Sequence, residues 1–152
     1  MLVGNARLVS EWLRVGYTQG NMNSDNTLLA GRTVDYGPYG WLERFDPSYQ
    51  PFTSDGEGKF RFLNQPTAMN VNMAVLGESI EVLVQAALQR DGIDDPRIIS
   101  QHIAVVRDLA RLEFERQFVP LYETMRRAKL GLVTVQPEDS ALWTDLDKLL
   151  YK

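Results

Sequence analysis

Apolar residues recur at helical spacing in four stretches of the chain and scatter into short runs in one. Ala6, Leu8, Val9, Trp12, Leu13 and Val15 form one stripe of a helix over 5–15, with Gly16 as its stop. Met69, Met73, Leu76, Ile80, Leu83 and Leu88 predict a second helix over 67–90, ending at Asp91-Gly92. Asp94-Asp95-Pro96 is a helix start signal. From there Ile99, Ile103, Val106, Leu109, Leu112, Phe118, Leu121 and Met125 predict a long amphipathic helix to Lys129, with Gly131 beyond it. Arg111 with Glu115, and Glu123 with Arg127, stand four apart, the spacing of ion pairs on an exposed face. A last helix over 137–150 opens at Pro137-Glu138-Asp139 and carries Leu142, Trp143, Leu146, Leu149 and Leu150. It is still apolar where the sequence ends, which leads us to expect further sequence after it.

The remaining stretch differs in kind. Seven of the eleven glycines fall between Gly16 and Asn64, the mark of loops and short strands. Thr27 to Ala30 and Thr33 to Tyr36 are strand candidates that could pair as a small hairpin. With Ala30-Gly31 as its turn, Asn26 faces Asp35, and directly opposed residues have Cβ atoms about 4.5–5.5 Å apart. With Gly31-Arg32 as the turn, Leu28 faces Asp35 instead. Both registers remain open at this level. The expectation is one domain over 1–152, mainly α with a small β-hairpin, with a loop-rich part (1–64) followed by a helical part (65–152).

Composition narrows the function. A chain of 152 residues, 44% hydrophobic and 24% charged, has ordinary globular make-up for about one domain. The formal charge is −4, and the eight basic residues from Arg90 to Lys129 are interleaved with seven acidic ones, so no basic face for nucleic acid is expected. The absence of Cys excludes a disulfide framework and a thiolate zinc site. Uninterrupted apolar runs fall far short of the roughly 20 residues of a membrane span, and no signal-peptide profile opens the chain. A soluble protein of the bacterial cytoplasm, or of mitochondria in a eukaryote, is the expectation.

Candidate chemistry concentrates in Gln19-Gly20-Asn21-Met22-Asn23-Ser24-Asp25-Asn26, followed by Asp35-Tyr36-Gly37-Pro38. Carboxylate and amide oxygens beside glycine turns suit a hard cation such as Mg²⁺, which shares its ligands with substrate phosphates. In the first register Asn26 and Asp35 could hold one cation. Asp25 would point the other way, free to orient an acceptor hydroxyl and take its proton. Metal-assisted phosphoryl transfer follows this logic, with a catalytic-loop Asp, an Asn on the metal and a second Asp in an Asp-aromatic-Gly turn. The kinase pattern His-Arg-Asp, four residues, Asn places Gln19 at its His and Asn21 at its Asp. The standard base is therefore absent, and Asp25 is the substitute. Alternatively, the whole run is an Asx-rich turn bonding its own backbone.

Three blocks in order, Gly16-Tyr17-Thr18-Gln19-Gly20-Asn21-Met22-Asn23-Ser24-Asp25-Asn26, Val34-Asp35-Tyr36-Gly37-Pro38-Tyr39-Gly40-Trp41 and Phe62-Leu63-Asn64-Gln65-Pro66, strongly resemble the selenoprotein O family, also known as YdiU-like proteins. That resemblance implies a pseudokinase-like fold, here the C-lobe of a kinase-like protein. The implied activity is protein adenylyltransfer: ATP, bound inverted relative to kinases, gives AMP to Ser, Thr or Tyr hydroxyls of proteins. In the family pattern His-Gly-x-Met-Asn-Thr-Asp-Asn the Asp is the proposed base and the last Asn a metal ligand. The Asp of Ile-Asp-Tyr-Gly-Pro-Phe is the other ligand. The resemblance thus assigns Asp25 as base, Asn26 and Asp35 to Mg²⁺ (Mn²⁺ as the alternative), and Asp35 also to the ATP phosphates. Gln19 stands where the family has His, Ser24 where it has Thr, and Thr27 where it has Met. The family's ATP-gripping glycine loop, Lys and Arg precede the region matched here, and neither GxGxxG nor GxxxxGK occurs. The expectation is the catalytic and C-terminal part of a larger protein.

His102, the single histidine, reads as a core or boundary residue of the long helix. Glu43, Asp46 and Asp55 could furnish a glycosidase-like carboxylate pair, or be solvated loop residues. Trp12, Trp41 and Trp143 read as core or interface residues, and Arg32 as a turn residue within reach of phosphate. Two other functions stay open: a catalytically silent helical interaction module that binds no Mg-ATP, and ordinary phosphotransfer.

Overall fold

A computed structural model describes residues 1–34 and 36–150. Its elements are α1 (Leu2–Val15), β1 (Tyr17–Gln19), a 3₁₀ turn (Ser24–Asn26), β2 (Tyr39–Trp41), a second 3₁₀ turn (Phe62–Asn64), α2 (Gln65–Ser79), α3 (Glu81–Arg90), α4 (Pro96–Lys129) and α5 (Asp139–Leu150). The chain is thus mainly helical with one two-stranded antiparallel sheet.

The helix periodicity translates directly into packing. α1 and α2 both lie on α4, and Ala6, Val9, Trp12, Met69, Met73 and Phe114 join Tyr17 and Met22 in one core. Burial of such side chains is worth roughly 1.5–3 kcal/mol each. Gly16 ends α1 in the left-handed conformation at φ 72°, where its N–H is free to return to Trp12 O. Asp95 caps α4 by accepting from the Arg97 N–H at 2.8 Å, with Pro96 at the first helical position.

Several expectations need correction. The helix read as 67–90 is two helices that break at Ile80. At the break Gly77 meets the α4 backbone so closely that a Cβ there would lie 2.8 Å from the Arg107 Cα. Arg107 then pairs with Glu81 at the start of α3 and lies 3.5 Å from Glu78 at the end of α2, holding the two helices across the bend. The charged pairs expected along α4 are also redirected. Arg111 and Glu115 both bond Asn70 of α2, at 3.0 and 2.6 Å, while Arg127 turns to Asp139 and the Thr134 carbonyl. His102 is exposed on α4, with Nδ1 against the Ile98 carbonyl.

The hairpin is corrected as well. Residues 27–34 form no strand. Leu28, Leu29 and Ala30 are exposed, and Gly31, at φ 66°, closes a turn with its N–H on Leu28 O. That turn is pressed onto α1: a Cβ on Gly31 would lie 2.4 Å from the Gly4 carbonyl carbon. The sheet instead pairs Tyr17 with Trp41, Thr18 with Gly40 and Gln19 with Tyr39.

From the second 3₁₀ turn onward, Phe62–Arg90 contains a window of mean hydropathy 1.4, enough by length and composition alone to cross a membrane. The expectation that no such stretch exists is corrected to that extent. The stretch bends at Ile80, and its buried Gln65, Asn70 and Asn72 bond to β1, to α4 and to the loop after β1.

Candidate active site

The site begins at β1. Its N–H of Gln19 donates to Gln65 Oε1 at 2.9 Å, and its Tyr17 carbonyl accepts from Gln65 Nε2 at 3.0 Å. A side-chain amide is the same chemical group as a peptide unit, so Gln65 satisfies the open side of β1 as another strand would. Gln65 has no exposed surface, and it also donates to the Phe62 carbonyl. The Gln19 side chain, in the position of the family His, is buried and accepts from the Tyr17 hydroxyl.

Gly20 carries the chain past β2. Its N–H bonds Pro38 O at 2.7 Å, and a Cβ would stand 2.6 Å from that oxygen. Only a residue without a side chain allows this approach, which brings the Asn-rich loop beside the Tyr36-Gly37-Pro38 segment. Trp12 holds the same region from α1, its Nε1 donating to Thr33 Oγ1 at 3.2 Å.

The loop itself is anchored on both sides of Asp25. Met22 is sunk in the core. Asn72 of α2 donates to Met22 O and to Thr27 Oγ1, each at 2.8 Å. Within the loop Asn23 Nδ2 donates to Asn21 Oδ1 at 2.7 Å, and the Asn26 and Thr27 N–H groups bond back to Asn23 O and Ser24 O. The loop is thus shaped by backbone bonds and one side-chain amide pair, without a side-chain cap from Asn23 and without engaging Asp25. The Asp25 carboxylate is exposed on the 3₁₀ turn, without a partner among the described residues. Asn26, half-buried, follows it, and its carboxamide is likewise unengaged there. Because Asn26 sits in a 3₁₀ turn, the strand register that would have set it opposite Asp35 does not hold. Asp35 lies outside the described residues.

Around the loop stand Tyr36, Tyr39 and Trp41, ring against ring at centroid distances of 5.0 and 5.3 Å, all partly exposed. Trp41 is thus a surface residue. Trp12 is core, and Trp143 lies under Arg126. Arg32 is exposed. Among the described residues no group of three His, Cys, Asp or Glu side chains is placed to hold a metal. The donor set beside Asp25 is all oxygen, from carboxylate and amide, which fits a hard cation sharing its coordination with phosphates and water.

The other acidic candidates are turn residues. Asp46 accepts from the Ser48 hydroxyl and N–H, which hold its carboxyl below the usual range. Burial pushes the Asp55 carboxyl up, but the N–H groups of Phe60 and Lys59 and the Gln50 amide outweigh this and leave it low. Neither resembles a raised general acid.

What sequence reading missed is the amide bracing. Gln65 and Asn72 lie on the same face of α2 as Met69 and Met73, and polar residues inside an apolar stripe were the available signal.

Comparison with known proteins supplies an independent reading. A family model described as protein adenylyltransferase SelO matches residues 1–152. The protein nucleotidyltransferase YdiU of Pectobacterium atrosepticum is 35% identical over 147 residues, covering 97% of this chain and 27% of the relative. Its namesakes from Aromatoleum aromaticum and Tolumonas auensis are 35% and 36% identical, covering 95% and 97% of this chain and 25% of each relative. The chain thus spans about a quarter of the length of these curated relatives. Matched along its whole length, the chain belongs to the protein adenylyltransferase SelO family.

Proposed function

We propose that this chain provides the catalytic loop of a protein adenylyltransferase, which moves AMP from ATP to Ser, Thr or Tyr hydroxyls of a protein. The observation that carries the reading is the exposed, unengaged Asp25 carboxylate on a turn fixed at both ends by Asn72. Family membership and the name nucleotidyltransferase on the relatives support the reaction class.

In this reading the acceptor hydroxyl lies against Asp25, which takes its proton as the hydroxyl oxygen attacks the α-phosphorus. Pyrophosphate leaves with the electron pair of the broken P–O bond. Asn26 and Asp35 would hold Mg²⁺, or Mn²⁺, with Asp35 beside the ATP phosphates. When bound, the cation offsets the charge that develops on the departing pyrophosphate. The chain as a whole is read as the C-lobe of a kinase-like fold, a reading supported by its mainly helical architecture with one two-stranded sheet.

The test uses the full-length gene product with Mg²⁺, an acceptor protein and ATP labelled at either the α- or the γ-phosphate. Label from the α position alone is expected. Asp25→Asn and Asp35→Ala should each lower transfer about 10²-fold or more. Label from the γ position would instead establish ordinary phosphotransfer, and full activity in Asp35→Ala would overturn the assignment.

A silent helical interaction module is the second reading. It is favoured by Val82 and Leu83 of α3 and by Val105, Leu109 and Leu112 of α4, all well exposed. It requires that the full-length protein bind no Mg-ATP.

A further inference from the structure

Asn5, in the first turn of α1, has no exposed surface, yet neither Oδ1 nor Nδ2 of its side chain has a hydrogen-bond partner. A buried amide left unpaired carries its full desolvation cost, whereas an apolar side chain of similar shape carries none. Stability therefore does not account for Asn5.

Its surroundings do. Asn5 lines a small cavity together with Gln19, Asn26, Thr27 and Arg32, closed on the apolar side by Leu8, Trp12, Met22 and Met69. The space open to the centre of a water molecule is about 10 Å³, close to what one water needs. The polar groups on its wall belong mostly to the loop that carries Asp25.

We propose that Asn5 is a positioning residue: it holds a single water against Asn26 and so fixes which end of the Asn26 carboxamide faces outward. An amide that turns its oxygen to a cation must turn its NH₂ elsewhere, and that NH₂ needs an acceptor. Here the Asn26 Nδ2–H donates to the water, and the water donates to Asn5 Oδ1. Groups that orient a metal ligand from behind in this way typically alter affinity 10- to 100-fold. The inference rests on the reading of Asn26 as a ligand given above.

The experiment compares wild type, Asn5→Leu and Asn5→Ser in the full-length gene product. It reads Tm, the affinity for Mn²⁺ with ATP by electron paramagnetic resonance, and the exchange rate of the Asn26 side-chain amide protons without metal. Asn5→Leu should melt at or above the wild-type temperature, bind Mn²⁺ about 10-fold or more weakly and exchange the Asn26 amide protons faster. Asn5→Ser, which can still hold a water, should recover most of both losses. A fall in Tm that parallels the loss of affinity, or a failure of Asn5→Leu to fold while Asn5→Ser behaves as wild type in stability but not in Asn26 exchange, would make Asn5 structural and overturn the proposal. Unchanged affinity and exchange in a stable Asn5→Leu would overturn it too. If the wild type itself bound no Mn²⁺ with ATP, the ligand reading of Asn26 would fall and this inference with it.

Discussion

The loop between β1 and β2 and the helices at the far end of the chain are held by different physics. Around Asp25 the contacts are neutral amides and backbone groups, buried and matched in geometry: Gln65 on β1, Asn72 on Met22 and Thr27, Gly20 on Pro38. α3 and α5 bury no residue at all, and they are tied to α4 by the arginines Arg107, Arg126 and Arg127. Short neutral hydrogen bonds depend steeply on angle and little on salt, whereas ion pairs on long side chains tolerate movement, and the half-exposed Arg107–Glu81 and Arg126–Asp147 pairs are screened more than the well-covered Arg127–Asp139 pair. Positional accuracy is thus concentrated where an acceptor oxygen would have to meet a phosphate, and the periphery is left adjustable.

The harshest way to break this contrast is through the backbone. Gly31→Val forces a branched side chain into φ 66° and into the Gly4 backbone. We expect it to cost about 3 kcal/mol or more, read by chemical denaturation, because strain and overlap act together. A stable Gly31→Val would mean that the turn does not depend on α1.

Asn72→Leu comes next. It removes both anchors of the loop while keeping an apolar shape on α2. A loss of about 1–3 kcal/mol is expected from the Met22 carbonyl left unpaired. Transfer activity should fall further than that loss of stability explains, since Asp25 loses its fixed position. Equal activity in wild type and Asn72→Leu would show that the loop is held elsewhere.

Acid should loosen the loop region next. The Asp55 carboxyl is held below its ordinary value of 3.8 by the N–H groups around it, against the opposing effect of burial. A carboxyl lowered in the folded state adds stability that is present above its unfolded value and is lost as pH falls through its folded one. Protection against hydrogen exchange over 50–60, taken relative to the intrinsic rate at each pH, should therefore fall below about pH 4, and Asp55→Asn should abolish that step.

The mildest perturbation targets α5. Arg127 and the Gln136 N–H hold the Asp139 carboxyl below the usual range. Asp139→Asn should speed amide exchange in α5 with little change in the melting of the core, and high salt should do so less, because the Arg127–Asp139 pair is well covered. A matching loss of core stability would put α5 in the same category as the loop.

The two regions also differ in how far they can be read from sequence. The helices are legible because a 3.6-residue period writes each buried face into consecutive residues. Even so, the bend at Ile80 is set by the approach of α4 to Gly77 and by Arg107, both distant in the chain. Asp25 and Asn26 are legible as unusual polar residues beside glycines. Their setting is not. β1 and β2 are three residues each and lie about 20 positions apart, while the apolar Leu28 and Leu29 that suggested a nearer hairpin are exposed. Gln65, Asn72 and Asn5 look like ordinary polar positions of helices until the fold places them behind the loop.

Gln65 and Asn72 stand seven residues apart on one helix, so they project from nearly the same side, about 10 Å apart along its axis. One grips the end of β1 and the other grips the loop on either side of Asp25. α2 therefore acts as a gauge whose pitch sets the span over which the turn bearing Asp25 is stretched. The length of that turn is written in a helix outside it, and a single residue inserted between the two amides would rotate one by about 100° out of reach without changing the turn itself.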